Sequence, residues 1–229
     1  MGLTLLRNTA LHDRYVHWAC CRAETKFRAR VLGRCRDLSD DLERMLADLV
    51  PANKMAVGAA RDELRRAECR EVADRASDEL GRLAGFDQDV EEFRRLLTTG
   101  DIGYFESHME YPIPKPLGGW GYADLYTLQR TPTGLVGDVY GLSFKFQEWR
   151  TVYEIKPGPE AFSVGDTLRQ LAFYRESMDR LVVVCPGLTR DQKTDLARER
   201  VKCLDPLKDS YDGVYVRQQQ EADSLNHSV

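Results

Sequence analysis

Hydrophobic spacing changes once along this chain, near Gly100, from a helical period to a strand period. That change restricts the fold to a helical segment followed by a sheet with its own helices. In residues 37–50 the apolar positions Leu38, Leu42, Met45, Leu46 and Leu49 fall on one helical face. Ser39 is placed to cap this helix and Pro51 to stop it. A second helix is expected over 53–83, with a thin apolar stripe through Met55, Ala60, Leu64, Ala76 and Leu80 and with Gly85 as its terminator. A third, over 87–97, closes at Thr98-Thr99-Gly100.

Beyond Gly100, residues 102–112 carry Tyr104, Phe105 and Tyr111 in a strand context. Pro112, Pro114, Pro116, Gly118 and Gly119 make a loop, and residues 121–129 alternate as a strand. Thr131-Pro132-Thr133-Gly134 reads as a turn, 135–149 as a hairpin with Asp138 in a turn, and 151–156 as a strand stopped by Pro157. An amphipathic helix follows over 163–178, then the apolar run 181–185, which suits a strand buried on both faces. A polar helix over 189–200 and a short strand at 214–216 complete the pattern. The fold class is therefore α/β, a mixed sheet flanked by helices. Its expected organisation is an N-terminal helical region over 1–86, a core over 87–217 and a flexible tail over 218–229.

Composition narrows the function classes. No apolar run approaches the ~20 residues that span a bilayer, and Arg7 and Asp13 interrupt the N-terminus too early for a secretory segment. The expectation is a cytoplasmic protein with no membrane partner. The six cysteines form no Cys-x-x-Cys pair and the four histidines complete no zinc spacing. Free, mostly buried thiols are expected. The formal net charge is −4, but residues 1–36 hold eight Lys/Arg against Asp13 and Glu24. Interleaved with Tyr15, Trp18 and Phe27, this basic segment either tracks a phosphate backbone or packs on acidic neighbours around 37–43.

Chemistry concentrates at Asp124, Glu154 and Lys156. Residues i and i+2 of a strand share a face, so Glu154 and Lys156 project together while Ile155 points into the core. If the strands of Asp124 and Glu154 are neighbours, both carboxylates can hold Mg²⁺ or Mn²⁺, with the Ile155 carbonyl as a further ligand. Such a cation activates water and neutralises a phosphodiester, with Lys156 beside it to stabilise the transition state. Glu-x-Lys alone is common on exposed strands. Here Val152, Tyr153 and Ile155 mark the strand as buried, and charges on a buried strand need a reason.

Gly121-Tyr122-Ala123-Asp124, Glu154-Ile155-Lys156 and Gln170-Leu171-Ala172-Phe173-Tyr174 resemble the successive motifs of the PD-(D/E)XK nuclease superfamily. The RecB-like branch, which includes the CRISPR adaptation exonucleases, is the nearest in pattern, and nuclease domains of polymorphic toxins are also similar. The resemblance covers about residues 102–185. It implies a restriction-endonuclease-like fold and a deoxyribonuclease acting through a metal-activated water, with RNA as an alternative substrate. It assigns Asp124 and Glu154 to the metal and Lys156 to the water, with Gln170 and Tyr174 facing the site from the next helix. Arg169 and Arg175 flank that helix and could meet phosphates.

The pattern departs from the family in places. The 30 residues between Asp124 and Glu154 imply an inserted hairpin. Of the upstream acids, Glu110 matches best as a further metal ligand, with Glu106, Glu91 and Glu92 as rivals. Cys185 and Cys203 are too few for an iron–sulfur cluster, so none is expected. His12 and His17 sit in a helix. Cap-snatching viral endonucleases of the same superfamily bind metal through such a histidine, but a surface or core role is the simpler reading for both. His108, two residues from Glu110, is a candidate to line the site. Gly118-Gly119-Trp120-Gly121 lacks the Gly-Lys-Ser/Thr of a nucleotide-binding loop. Outside the enzyme class, the chain reads as an inactive binding or scaffold protein of the same fold. The helical region could mediate homo-oligomerisation or hold a protein partner.

Overall fold

The computed structural model describes residues 2–115 and 118–209. Three helices come first: α1 (Gly2–Arg66), α2 (Arg70–Ala84) and α3 (Phe86–Thr99). Strands β1 (Tyr104–Pro114), β2 (Trp120–Asp138) and β3 (Gly141–Ile155) follow, then α4 (Val164–Ala172), β4 (Arg180–Val184), α5 (Arg190–Arg198) and β5 (Val201–Leu204). The strands form one sheet in the order β1-β2-β3-β4-β5. The two-residue link between β2 and β3 can only reverse the chain, so that pair is antiparallel. The pairs β3/β4 and β4/β5 are parallel, which makes the sheet mixed. No helix among the described residues is long and apolar enough to cross a membrane.

By compactness the chain divides into two units. The first comprises Met1–Phe27, Phe105–Gln129 and Glu148–Val229, and the second Arg28–Tyr104 and Arg130–Gln147.

In the first unit the sheet carries a core on each face. Alternation along β4 sends Leu181 and Val183 to one side, where Val152, Leu171, Tyr174 and Leu196 pack. It sends Val182 and Val184 to the other, against Tyr15, Trp18 and Ala19 of α1 together with Tyr153, Ile155 and Leu204. Both faces are covered, which is why the sequence there reads as an unbroken apolar run. In the second unit α1 and α2 form an antiparallel hairpin. Arg75 pairs with Glu63 at 3.5 Å, and Asn53 Nδ2 donates to the Leu83 carbonyl at 3.3 Å and to that of Val139 at 2.7 Å. The rings of Phe93 and Phe144 stack with centroids 4.3 Å apart. Gly100 ends α3 at φ 73°, the left-handed turn expected of it.

Several sequence expectations are corrected. Pro51 does not stop a helix but lies inside the 65-residue α1. It removes one backbone hydrogen bond, while Leu38, Leu42 and Leu46 before it and Asn53 and Ala60 after it are all buried and hold the helix in place. Ser39 caps nothing; its hydroxyl donates to the Cys35 carbonyl at 2.9 Å. The break falls instead at Ala67-Glu68-Cys69, where no Gly or Pro marks it. Thr131-Pro132-Thr133-Gly134 is strand rather than turn, and the β2–β3 reversal is at Val139-Tyr140, where the Asp138 carboxylate accepts from the Tyr140 amide at 2.8 Å. The helix expected over 163–178 ends at Ala172 and continues as turns. β5 lies where the sequence pattern predicts no strand. It is four residues long and follows α5 after only Glu199 and Arg200. All six cysteines are free, but only Cys35 and Cys185 are buried and Cys69 is exposed. The strand expected at 214–216 and the tail at 218–229 lie outside the described residues.

Candidate active site

The site lies in the first unit, where β2 and β3 run side by side. Gly121 and Ala123 face α4: a Cβ on Gly121 would sit 3.2 Å from Tyr174 Cε1, and Ala123 packs with Leu171. Leu125 nevertheless packs against α1, and Tyr126 returns to the α4 face. The alternation therefore slips by one residue at Asp124, as at a bulge, and such slips re-aim side chains. The Asp124 carboxylate is turned toward β3, where its Oδ2 accepts from the Ile155 amide at 2.6 Å. Its Oδ1 lies 3.3 Å from His12 Nε2 on α1.

Glu154 follows the ordinary alternation of β3 and points to the α4 side with Val152. It is 2% exposed. Its Oε1 accepts from Lys156 Nζ at 2.6 Å and its Oε2 from Gln170 Nε2 at 2.7 Å. Burial raises the Glu154 carboxyl from 4.5 to about 7, and the nearby negative charge of Asp124 adds to the rise against the opposing pull of Lys156 and Gln170. Its hydrogen bond with Asp124 raises the His12 pKa above 6.5, and partial burial opposes this. Tyr174 is buried, which raises its phenol pKa, and its hydroxyl donates to the Tyr122 carbonyl at 2.9 Å. It thus clamps the segment after α4 to the strand just ahead of Asp124.

Asp124, Glu154, Lys156 and Gln170 are brought together, and Ile155 is buried behind them as its parity requires. The other candidates are placed elsewhere or are engaged. Glu110 is exposed on β1 at φ 49°. Its rivals hold local partners: Glu106 meets His108, Glu91 meets Arg94 and Glu92 meets Arg95. Arg169 is bound to Asp166 at 2.7 Å and Arg175 to Glu199 at 3.2 Å. His17 contacts Cys21 within α1 at 3.5 Å. His12, for which a surface or core role is the simpler expectation from sequence, instead contacts the Asp124 carboxylate. No spacing signal links it to an aspartate 112 positions away.

Among the described residues no three His, Cys, Asp or Glu side chains form a metal centre. Mg²⁺ and Mn²⁺ ask for less, since one or two carboxylates suffice when water and substrate oxygens complete the shell. Asp124 and Glu154 supply hard oxygen donors. Each of their four oxygens meets one protein donor and keeps a second lone pair. Burial and, after it, the charge of Asp124 disfavour the ionised Glu154 carboxyl, and a divalent cation offsets both, so the donor set fits such an ion. No family model, curated protein or solved structure matches this chain.

Proposed function

We propose that this chain is a metal-dependent nuclease of PD-(D/E)XK type that hydrolyses DNA phosphodiester bonds. One observation carries the reading. A buried glutamate, held by Lys156 and Gln170, is next in the chain to Ile155, whose amide donates to the Asp124 carboxylate, so two acids converge on the end of β3. A structural ion pair has no need of the second acid. Asp124, Glu154 and the Ile155 carbonyl would hold Mg²⁺ or Mn²⁺. Bound there, the cation supplies activation of water and neutralisation of the phosphodiester. Gln170 fixes the Glu154 carboxylate from α4, and His12 fixes Asp124 from α1. Lys156 supplies positive charge for the oxygens that gain charge as water adds to phosphorus and the P–O ester bond breaks.

Cleavage of DNA and RNA with Mg²⁺, Mn²⁺ or chelator, compared with Asp124→Ala and Lys156→Ala, tests this. Metal-dependent cleavage that both substitutions abolish supports the reading, and equal activity of all three proteins defeats it. A second reading is an inactive nucleic-acid-binding or scaffold protein of the same fold. Its support is that every oxygen of the two carboxylates already accepts from, or contacts, a protein donor. It predicts no Mn²⁺ binding by calorimetry and nucleic-acid affinity untouched by Glu154→Ala.

A further inference from the structure

Arg22 is the only buried cation among the described residues, at 8% exposure. The buried carboxylates are satisfied: Glu154 by Lys156 and Gln170, and Asp205 by the amides of Gly187 and Leu207. Among the described residues Arg22 has no such partner. Its guanidinium lies 5.5 Å from the Trp18 ring centre, its Nε has no hydrogen-bond acceptor, and among the described residues no carboxylate pairs with it. A buried charge without a counter-charge is heavily penalised, so an anion from outside is the natural complement.

Two more cations converge on it. Lys26 is one helical turn along α1 and shares its face. Lys202 reaches the place from β5. It pairs in register with Val182, which pairs with Tyr153, and both of these pack on the α1 side. Register partners on adjacent strands share a face, so Lys202 rises on the α1 side as well. The charges of Arg22 and Lys202 help to lower the Lys26 pKa, after its own desolvation. Asp209 opposes them, but its carboxylate already accepts from the Asp205 amide at 2.6 Å. Neither lysine has an ion-pair partner among the described residues.

We propose that Arg22, Lys26 and Lys202 form a phosphate-binding site separate from the carboxylate cluster. Arg22 is ten residues beyond His12 on α1, roughly 15 Å along the helix axis at 1.5 Å per residue. Arg22 offers a planar fork to two phosphate oxygens, and the lysines act as point charges. A phosphodiester backbone and a free phosphate present the same oxygens. The site does not depend on the nuclease reading, because phosphate binding can be followed in chelator without cleavage.

The test is a thermal melt of the full chain in EDTA, titrated with sodium phosphate against sodium chloride of equal ionic strength. The comparison is Lys26→Ala/Lys202→Ala, whose side chains are exposed, so the fold is kept and circular dichroism verifies it. Phosphate at ten times its Kd raises the wild-type Tm by about 3 °C, and the double variant shows no phosphate-specific rise. No rise in the wild type, or an equal rise in the variant, overturns the site. Anisotropy of a labelled single-stranded DNA 20-mer in EDTA then identifies the source. If the variant binds more weakly, with its salt slope reduced by about 1.4, the site holds backbone phosphate. If oligonucleotide binding is unchanged while the phosphate response is lost, the site is confirmed as one for free phosphate.

Discussion

Replacing Glu154 by Gln removes the most perturbed carboxyl of the candidate site while keeping its shape and its acceptor for Gln170 or Lys156. In the wild type this carboxyl is raised from 4.5 to about 7. Between these values the folded protein holds a proton that the unfolded chain has released. The stability this contributes is complete below pH 4.5 and is lost as the pH rises through 7. At about 1.4 kcal/mol per pH unit, the full loss is on the order of 3 kcal/mol, most of it between pH 5 and 8. His12, with its pKa raised above 6.5, loses stability in the same direction, but it is present in both proteins and cancels in their difference. Urea unfolding at half-unit steps from pH 5 to 8 in EDTA reads the effect. The wild type should lose about 2–3 kcal/mol more than Glu154→Gln across that range, whatever constant offset the lost ion pair with Lys156 introduces. Millimolar Mg²⁺ should flatten the wild-type profile alone, because a cation favours the ionised carboxylate. Parallel profiles for the two proteins in EDTA would show that burial and Asp124 do not strain Glu154, and the main support for a cation at this place would be gone.

Two other predictions concern the frame. Pro51→Ala restores a backbone donor inside α1 and should stabilise the second unit by up to about 3 kcal/mol, seen as a higher urea midpoint; an unchanged midpoint would mean that the helix is already relieved around Pro51. Tyr174→Phe deprives the Tyr122 carbonyl of its donor and should cost about 1 kcal/mol. It should also lower the proposed nuclease activity by loosening the strand ahead of Asp124, and a melt equal to wild type would argue against the clamp.

The two cores of the first unit were legible because burial on both faces leaves a simple mark. Val152, Ile155 and residues 181–185 are apolar at every register, and Glu154 with Lys156 stood out against that background. Shared parity on one strand and one helical turn between Gln170 and Tyr174 are local geometry, so the side-chain neighbours Glu154, Lys156 and Gln170 followed from spacing and the resemblance together. Helix limits were less legible. Proline has a strong local preference, but at Pro51 packing before and after it outweighed one missing hydrogen bond. The true break at Ala67-Glu68-Cys69 has no local breaker and is set where α2 must fold back to place Leu83 beside Asn53.

Local order along the chain determines period, parity and composition, and these were enough for an α/β chain with Asp124, Glu154 and Lys156 in strand segments, while the sheet order set those strands side by side. The slip of alternation at Asp124, the approach of His12 from a helix 112 residues away and the burial of Arg22 were not written in any spacing. They depend on which surfaces of α1, β2 and β5 meet. That choice is made by the summed burial of many side chains, a long-range free energy that no short stretch of residues contains.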